Sequence, residues 1–305
     1  MKPTATRALT KARNFWLGPV DPIRLETFRV VTGLSLLLYL AARWRYAAEW
    51  LTPLGYHMSS RVFTAVPVAP PLPTWALPGF GLLMFGGVLG LILGWQMRWV
   101  TWVVFGCVTY VTFVDALASF TINKLFVVSL AVFALVPLWS YWSVQPHRPV
   151  QRPSAWALRV LQATLVIQFF TAGWCKVAHG DWLQNPYVLW SQIQGIYRTD
   201  IAAWMLRVTP AGVWAWMQYI ALSFELLAPL LFLVKRFRPI GFLWGGGFLL
   251  MIAVTMDQLI YFMLQMACYF VLFMEERTLN GLRLWVRHPR RLSRWLRRHA
   301  LRPST

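Results

Sequence analysis

Long apolar segments separated by short polar loops run through most of this chain, and they constrain its fold more than any other feature. Hydrophobic residues make up 58% of the 305 residues and charged residues only 13%, with a mean hydropathy of +0.52. A helix needs about 20 apolar residues to cross a bilayer, and a chain this apolar can bury its surface only there. The pattern predicts an all-α integral membrane protein, a polytopic helical bundle of about eight transmembrane helices plus interfacial helices. The predicted spans lie near residues 28–44, 75–95, 99–119, 124–142, 155–177, 211–234, 239–255 and 258–274.

The net charge of +19 comes from Lys and Arg clustered at the two ends and in particular loops. Basic loops of membrane proteins normally face the cytoplasm, and with eight spans the basic N-terminus, C-terminus and two loops fall on one side. Arg43, Arg45 and Arg61 fall in the first outer loop, against this trend. We therefore expect a multi-pass protein of the cell membrane with both termini cytoplasmic, and no nucleic-acid partner. The predicted divisions are a basic N-terminal segment at 1–26, a transmembrane domain at 27–274 and a basic amphipathic tail at 275–305.

Signatures of common catalytic and metal sites are absent from the sequence. It contains no HExxH, no phosphate-binding glycine loop and no GxSxG. Its three cysteines lie in or beside apolar runs without paired spacing, so we expect neither a metal site nor a disulfide framework. Amphipathic patterns over 179–210 and in the tail predict helices on the outer and inner membrane surfaces, a solvated basic segment being the alternative for the tail.

Ionisable residues are concentrated at the end of the fifth predicted span. Lys176 closes a run without charge that begins after Arg159, and His179 and Asp181 follow it closely. A lysine at the edge of the hydrocarbon either extends its charge to the headgroups or serves a polar cavity. This short stretch therefore holds a candidate base, a titratable partner and an anion.

Further acidic residues are expected near the same membrane face. The predicted topology puts Asp115 and Asp257 at the outer ends of their spans and Glu225 deeper, inside the sixth span. Such groups normally face a cavity and pair with one another. Each also has a structural interpretation: Asp181 as an ion-pair partner of Lys176, His179 as an ordinary loop histidine, and Glu225 as part of a structural network.

A short segment around Lys176 carries a family resemblance. Ala172-Gly173-Trp174-Cys175-Lys176, followed by Asp181-Trp182, resembles the membrane domain of vitamin K-dependent gamma-carboxylases. That domain and its bacterial relatives are called horizontally transferred transmembrane, or HTTM, proteins. Residues 21–33, 223–226 and 258–262 are similar to other helices of the family, so the resemblance covers most of the chain.

The resemblance implies a chemistry and a set of site residues. In the carboxylase the matching lysine deprotonates vitamin K hydroquinone, so Lys176 takes the place of the base and a reduced quinone is the candidate cofactor. A lysine in an apolar pocket can lose its charge, which suits a general base. The expected catalytic residues are Lys176, His179, Asp181 and Glu225, and those expected to contact the cofactor are Asp115, Trp174, Trp182 and Asp257.

Two classes of function are therefore expected. The first is a quinol-linked, base-catalysed modification of a peptide or small-molecule substrate at the outer membrane face. The second is a non-enzymatic helper in the bilayer that binds a lipid, peptide or partner membrane protein, with Lys176 as an electrostatic anchor. Arginine keeps the charge of lysine but cannot serve as a base, so Lys176→Arg separates the two.

Overall fold

The computed structural model describes residues 3–55, 69–114, 120–136, 138, 141–145 and 152–287, and within these ranges it is almost entirely helical. Only two isolated β-bridges occur there, Pro19 with Ser154 and Arg198 with Met256. The α-helices are α1 (Pro3–Leu17), α2 (Ile23–Trp44), α3 (Ala47–Leu51), α4 (Leu77–Leu93), α5 (Met97–Val114), α6 (Thr121–Leu135), α7 (Ala155–Ala178), α8 (Val188–Ile193), α9 (Asp200–Val208), α10 (Ala211–Leu233), α11 (Arg238–Thr255), α12 (Ile260–Cys268) and α13 (Glu276–Arg287).

The long helices pack in two groups that share one core. Helices α2, α4, α5 and α6 form the first group, α7, α10, α11 and α12 form the second, and α12 joins them by packing on α2. The rings of Phe28, Phe133 and Tyr269 meet at this junction, with the Phe133 centroid 5.6 Å and the Tyr269 centroid 4.7 Å from that of Phe28. The apolar faces required by the sequence pattern therefore meet one another inside the bundle.

Contacts between helix ends define two ends of the bundle. At one end the Ala155 N–H donates to the Gly18 carbonyl, and Arg24 of α2 lies 3.5 Å from Glu276 of α13. This end carries both α1 and α13, and we call it the terminal end. At the other, Gln218 near the start of α10 binds the chain just after α7. We call this the site end, because Lys176 lies there.

Six helices are long and apolar enough to cross a membrane, namely α2, Thr74–Leu93, α5, α7, α10 and Lys235–Thr255. The helical-bundle prediction is thereby confirmed. The last predicted span corresponds to α12 and the 3₁₀ turn Tyr269–Phe273. This segment is long and apolar enough to cross a membrane only when α13 is counted with it, and the two are bent by 113°. Helix α6 is apolar but has 15 residues. The described residues thus contain six candidate spans, or seven if the bent pair is counted as one further span. The full count of eight stays a prediction.

Two fully buried charged residues lie on α2 near the terminal end. Arg29 donates from Nη1 to the Leu91 carbonyl and from Nη2 to the Trp142 carbonyl. Glu26 accepts the backbone N–H groups of Tyr141 and Trp142 at 2.6 and 2.8 Å. Both residues are 0% exposed. This Arg29 cluster fastens the loop after α6 to α2 and α4, because buried charges need such partners.

The segment between α7 and α10 contains two short helices instead of one. Thr199 caps α9 by accepting the Ala202 N–H, and its hydroxyl donates to the Val254 carbonyl at 2.7 Å. The Asp257 N–H donates to the Tyr197 carbonyl at 3.0 Å. These bonds attach the segment to the end of α11, so it covers the site end of the second helix group.

Candidate functional site

The candidate site is built on an ion pair between α7 and α10. Lys176 lies in the last turn of α7, and its Nζ is 2.6 Å from both carboxylate oxygens of Glu225, in the middle of α10. The side chains are 26% and 5% exposed. The expectation that a carboxylate within a span has a polar partner is therefore confirmed for Glu225.

A glycine one turn before Lys176 lets the two helices approach this closely. A Cβ added to Gly173 would lie 2.9 Å from the Cβ of Glu225, closer than side-chain carbons normally come. Small residues at such positions bring helix backbones together in membranes. Gly173 therefore makes room for the Lys176–Glu225 pair.

Trp182 covers the ammonium group from the loop after α7. Its ring centroid lies 4.4 Å from Lys176 Nζ, a cation–π distance, and the side chain is buried. The loop is held by Gln218, which donates from Nε2 to the carbonyls of Trp182 and Asn185 at 2.8 Å each. Gln218 also accepts the Leu189 N–H at 2.9 Å. A polar side chain of α10 thus positions the aromatic cover of the pair.

Gln218 was missed by reasoning from the sequence, although a signal was present. It lies seven residues before Glu225, which puts both on one face of α10. A polar residue repeated at this spacing in an apolar helix indicates a polar surface turned towards a neighbour. Glu225 contacts the side chain of Lys176. Gln218, two turns earlier in α10, contacts the backbone of the loop after α7.

A small cavity adjoins the carboxylate. It measures about 70 Å³ and is lined by Glu225 and Gln168 together with aromatic, aliphatic and thioether side chains, among them Phe169, Phe248 and Met263. Phe248 and Gln168 are only partly buried, so the cavity lies near the surface of the bundle. An apolar molecule in the bilayer could approach Glu225 from that side.

The other predicted site residues are separate from this pair. His179 directly follows the last residue of α7 and donates its backbone N–H to the Cys175 carbonyl, while its side chain is exposed. Asp181 is also exposed and has no ion-pair partner among the residues described. Asp257 is exposed at the end of α11, and Trp174 is 54% exposed and stacks on Phe170. Asp115 lies outside the described residues.

The arrangement can hold or transfer one proton. Burial penalises both charges, while their contact stabilises them, and the two forms of the pair differ only in which atom holds the proton. No three His, Cys, Asp or Glu side chains of the described ranges come together as metal ligands. The chemistry that Lys176 and Glu225 themselves offer is acid–base chemistry.

A family model describes the same region of the chain. The model for the HTTM domain matches residues 17–277, which include Lys176, Gln218 and Glu225. No protein of curated function and no solved structure gives a significant match. The match covers most of the chain and both helices that build the ion pair, so the chain belongs to the HTTM family.

Proposed function

We propose that the Lys176–Glu225 pair takes a proton from a small, weakly acidic apolar molecule of the bilayer. This would be the first step in a base-catalysed modification of a peptide or small substrate at the outer membrane face. The observation that carries the proposal is the contact of Lys176 Nζ with both Glu225 oxygens at 2.6 Å, beside a cavity within the membrane region. Ionisable groups in such places are expensive and usually functional.

The proton balance follows from the pair itself. Transfer of a proton from the ammonium to the carboxylate removes both buried charges and leaves a neutral amine. The amine can then accept the proton of a substrate hydroxyl: the O–H bond breaks, an N–H bond forms, and the substrate anion stays beside the new ammonium. Trp182 lies over the ammonium, and most side chains that line the cavity beside Glu225 are apolar.

A reduced quinone is the proposed acid. Its ring suits the aromatic and thioether lining, and when bound it would supply an acidic hydroxyl and two reducing electrons. The cavity of about 70 Å³ has room for about two waters, whereas ligand pockets usually exceed about 300 Å³. Entry of a ring therefore requires the flexible Met263 and Met266 side chains to move.

One observation favours the non-enzymatic alternative. Lys176 is in direct contact with a carboxylate, and a fixed ion pair beside a membrane cavity suits an electrostatic anchor for a lipid, peptide or partner protein. That role needs only the charge. The proposed base needs a group that can release its proton, which arginine cannot do.

The test measures deprotonation of a quinol directly. Parent protein in lipid nanodiscs is titrated with menadiol without oxygen at neutral pH, and the absorbance of the quinolate anion is recorded. We expect the parent to raise the quinolate fraction several-fold. Lys176→Ala and Lys176→Arg should abolish the rise, and a small amine such as methylamine should partly restore the Ala variant.

Lys124→Arg is the matched control, since Lys124 is an exposed lysine in the first turn of α6 at the site end. It should behave like the parent. A parent that leaves menadiol protonated contradicts the proposal. A quinolate signal that survives in Lys176→Arg shows that charge alone suffices, which favours the anchor.

A further inference from the structure

A second cavity, unrelated to the Lys176–Glu225 pair, lies at the terminal end of the bundle. It measures about 460 Å³, within the usual size range of ligand pockets. The starts of α2 and α11 and the turn before α13 form its walls. Its lining contains more basic than acidic residues. The basic ones are Arg24, Lys235, Arg238 and Arg277, and the acidic ones are Glu275 and Glu276.

The guanidinium groups around this cavity are crowded. Arg24 and Arg159 lie close enough to Arg238, and to each other, for like-charge repulsion. The ion pair present is Arg24 with Glu276 at 3.5 Å, and that glutamate is 46% exposed. The Nε atoms of Arg24 and Arg159 are buried without a hydrogen-bond partner in the part of the chain that the structure describes. An anion in the cavity would relieve this repulsion.

Arg238 is held in place for such an anion. Its Nε donates to the Phe232 carbonyl at 2.9 Å, and its Nη1 donates to the Phe273 carbonyl at 3.3 Å. A guanidinium has five N–H donors, so several remain for a ligand. A fixed guanidinium that faces a basic cavity suits phosphate, which accepts several such bonds at once.

Basic residues at the end of a membrane protein are usually dispersed among the headgroups, which is the simpler account of such charges. Here they converge on one concavity from α2, α11, α13 and the turn before α11. Phe242, Phe273 and Met274 add an apolar wall. Helix α13 leaves Leu282, Trp285 and Val286 exposed, as in a helix that lies on a lipid surface.

We infer that this cavity binds the phosphate group of an anionic phospholipid, with the acyl chains against the apolar wall. Phosphate is the shared chemistry of a lipid headgroup and of free inorganic phosphate, and the apolar wall and α13 favour the lipid. Basic pockets between membrane helices are a known way to bind such headgroups. The site is independent of the proposed proton transfer.

The experiment compares retention of phosphatidylglycerol by native mass spectrometry. Protein is reconstituted in phosphatidylcholine nanodiscs with a minor fraction of phosphatidylglycerol, and thermal unfolding is recorded in parallel. Lys235→Gln/Arg277→Gln removes two exposed lining charges and should weaken retention about 10- to 30-fold. Phosphatidylglycerol should also stabilise this double variant against thermal unfolding less than it stabilises the parent. Arg236→Gln/Arg98→Gln removes two exposed charges that do not line the cavity and should retain the lipid as the parent does.

Equal losses in the two double variants would overturn the inference, since general surface charge would then explain retention. A third arm adds inorganic phosphate to neutral nanodiscs. If phosphate alone stabilises the parent as much as phosphatidylglycerol does, the lipid assignment is overturned. Stabilisation only by phosphatidylglycerol supports it.

Discussion

The Arg29 cluster and the Lys176–Glu225 pair are two solutions to one problem, a charge buried in an apolar helical bundle. Arg29 and Glu26 bind backbone groups of α4 and of the loop after α6. Lys176 and Glu225 bind each other, side chain to side chain, beside a cavity. The first lies at the terminal end, and the second lies towards the site end.

The difference separates a structural charge from one that is free to react. Backbone carbonyls and N–H groups cannot move without unfolding a helix or loop, so the Arg29 cluster is part of the scaffold. A side-chain pair can transfer its proton or turn to another partner when a ligand enters. Buried charge alone is therefore weak evidence for function, and the nature of its partners decides between the two roles.

Replacement of Arg29 should have the largest effect on stability. Arg29→Met leaves the carbonyls of Leu91, Ile92 and Trp142, as well as Glu26, without their buried cation, which should cost about 3–5 kcal/mol. Folded yield from membranes and thermal unfolding in detergent measure this loss. Arg98→Met removes an exposed arginine and should change stability by at most about 0.5 kcal/mol. Equal behaviour of the two variants would contradict a scaffold role for Arg29.

Changes at Glu225 should have an intermediate effect. Glu225→Leu leaves Lys176 partly buried without its anion and should cost about 1–3 kcal/mol. Glu225→Gln keeps an acceptor oxygen for the ammonium and should cost less than about 1 kcal/mol while removing proton exchange. Thermal unfolding ranks the variants, and the menadiol assay reports the exchange. A Leu variant as stable and as active as the parent would leave Glu225 without a role.

The sidedness of the two ends can be tested with almost no effect on stability. In a Cys175→Ser background, which removes the exposed native thiol, Arg198→Cys at the site end and Arg236→Cys at the terminal end receive a membrane-impermeant thiol reagent. The basic loops predict that Arg198→Cys reacts in intact cells and Arg236→Cys only after permeabilisation. The reverse result would put the Lys176–Glu225 pair on the cytoplasmic side and remove the proposed outer-face chemistry.

The sequence was sufficient for the fold class and for naming Lys176, Glu225 and Trp182, which the structure brings together. Apolar run lengths predicted the long helices, because the bilayer imposes a minimum length on any span. The run that ends at Lys176 marked that residue, since an ionisable group there is costly. The resemblance around Lys176 predicted the HTTM family, and the family model confirms it.

Only the tertiary structure decided which charges meet. The carboxylate that pairs with Lys176 belongs to Glu225 in α10, whereas Asp181, five residues from Lys176 in sequence, stays exposed. Likewise nothing in the sequence indicated that Arg29 would bind α4 and the loop after α6. Helical periodicity shows which residues share a face, but not which helix that face meets. That choice depends on packing, and here on Gly173, which lets α7 and α10 approach closely enough to join Lys176 to Glu225.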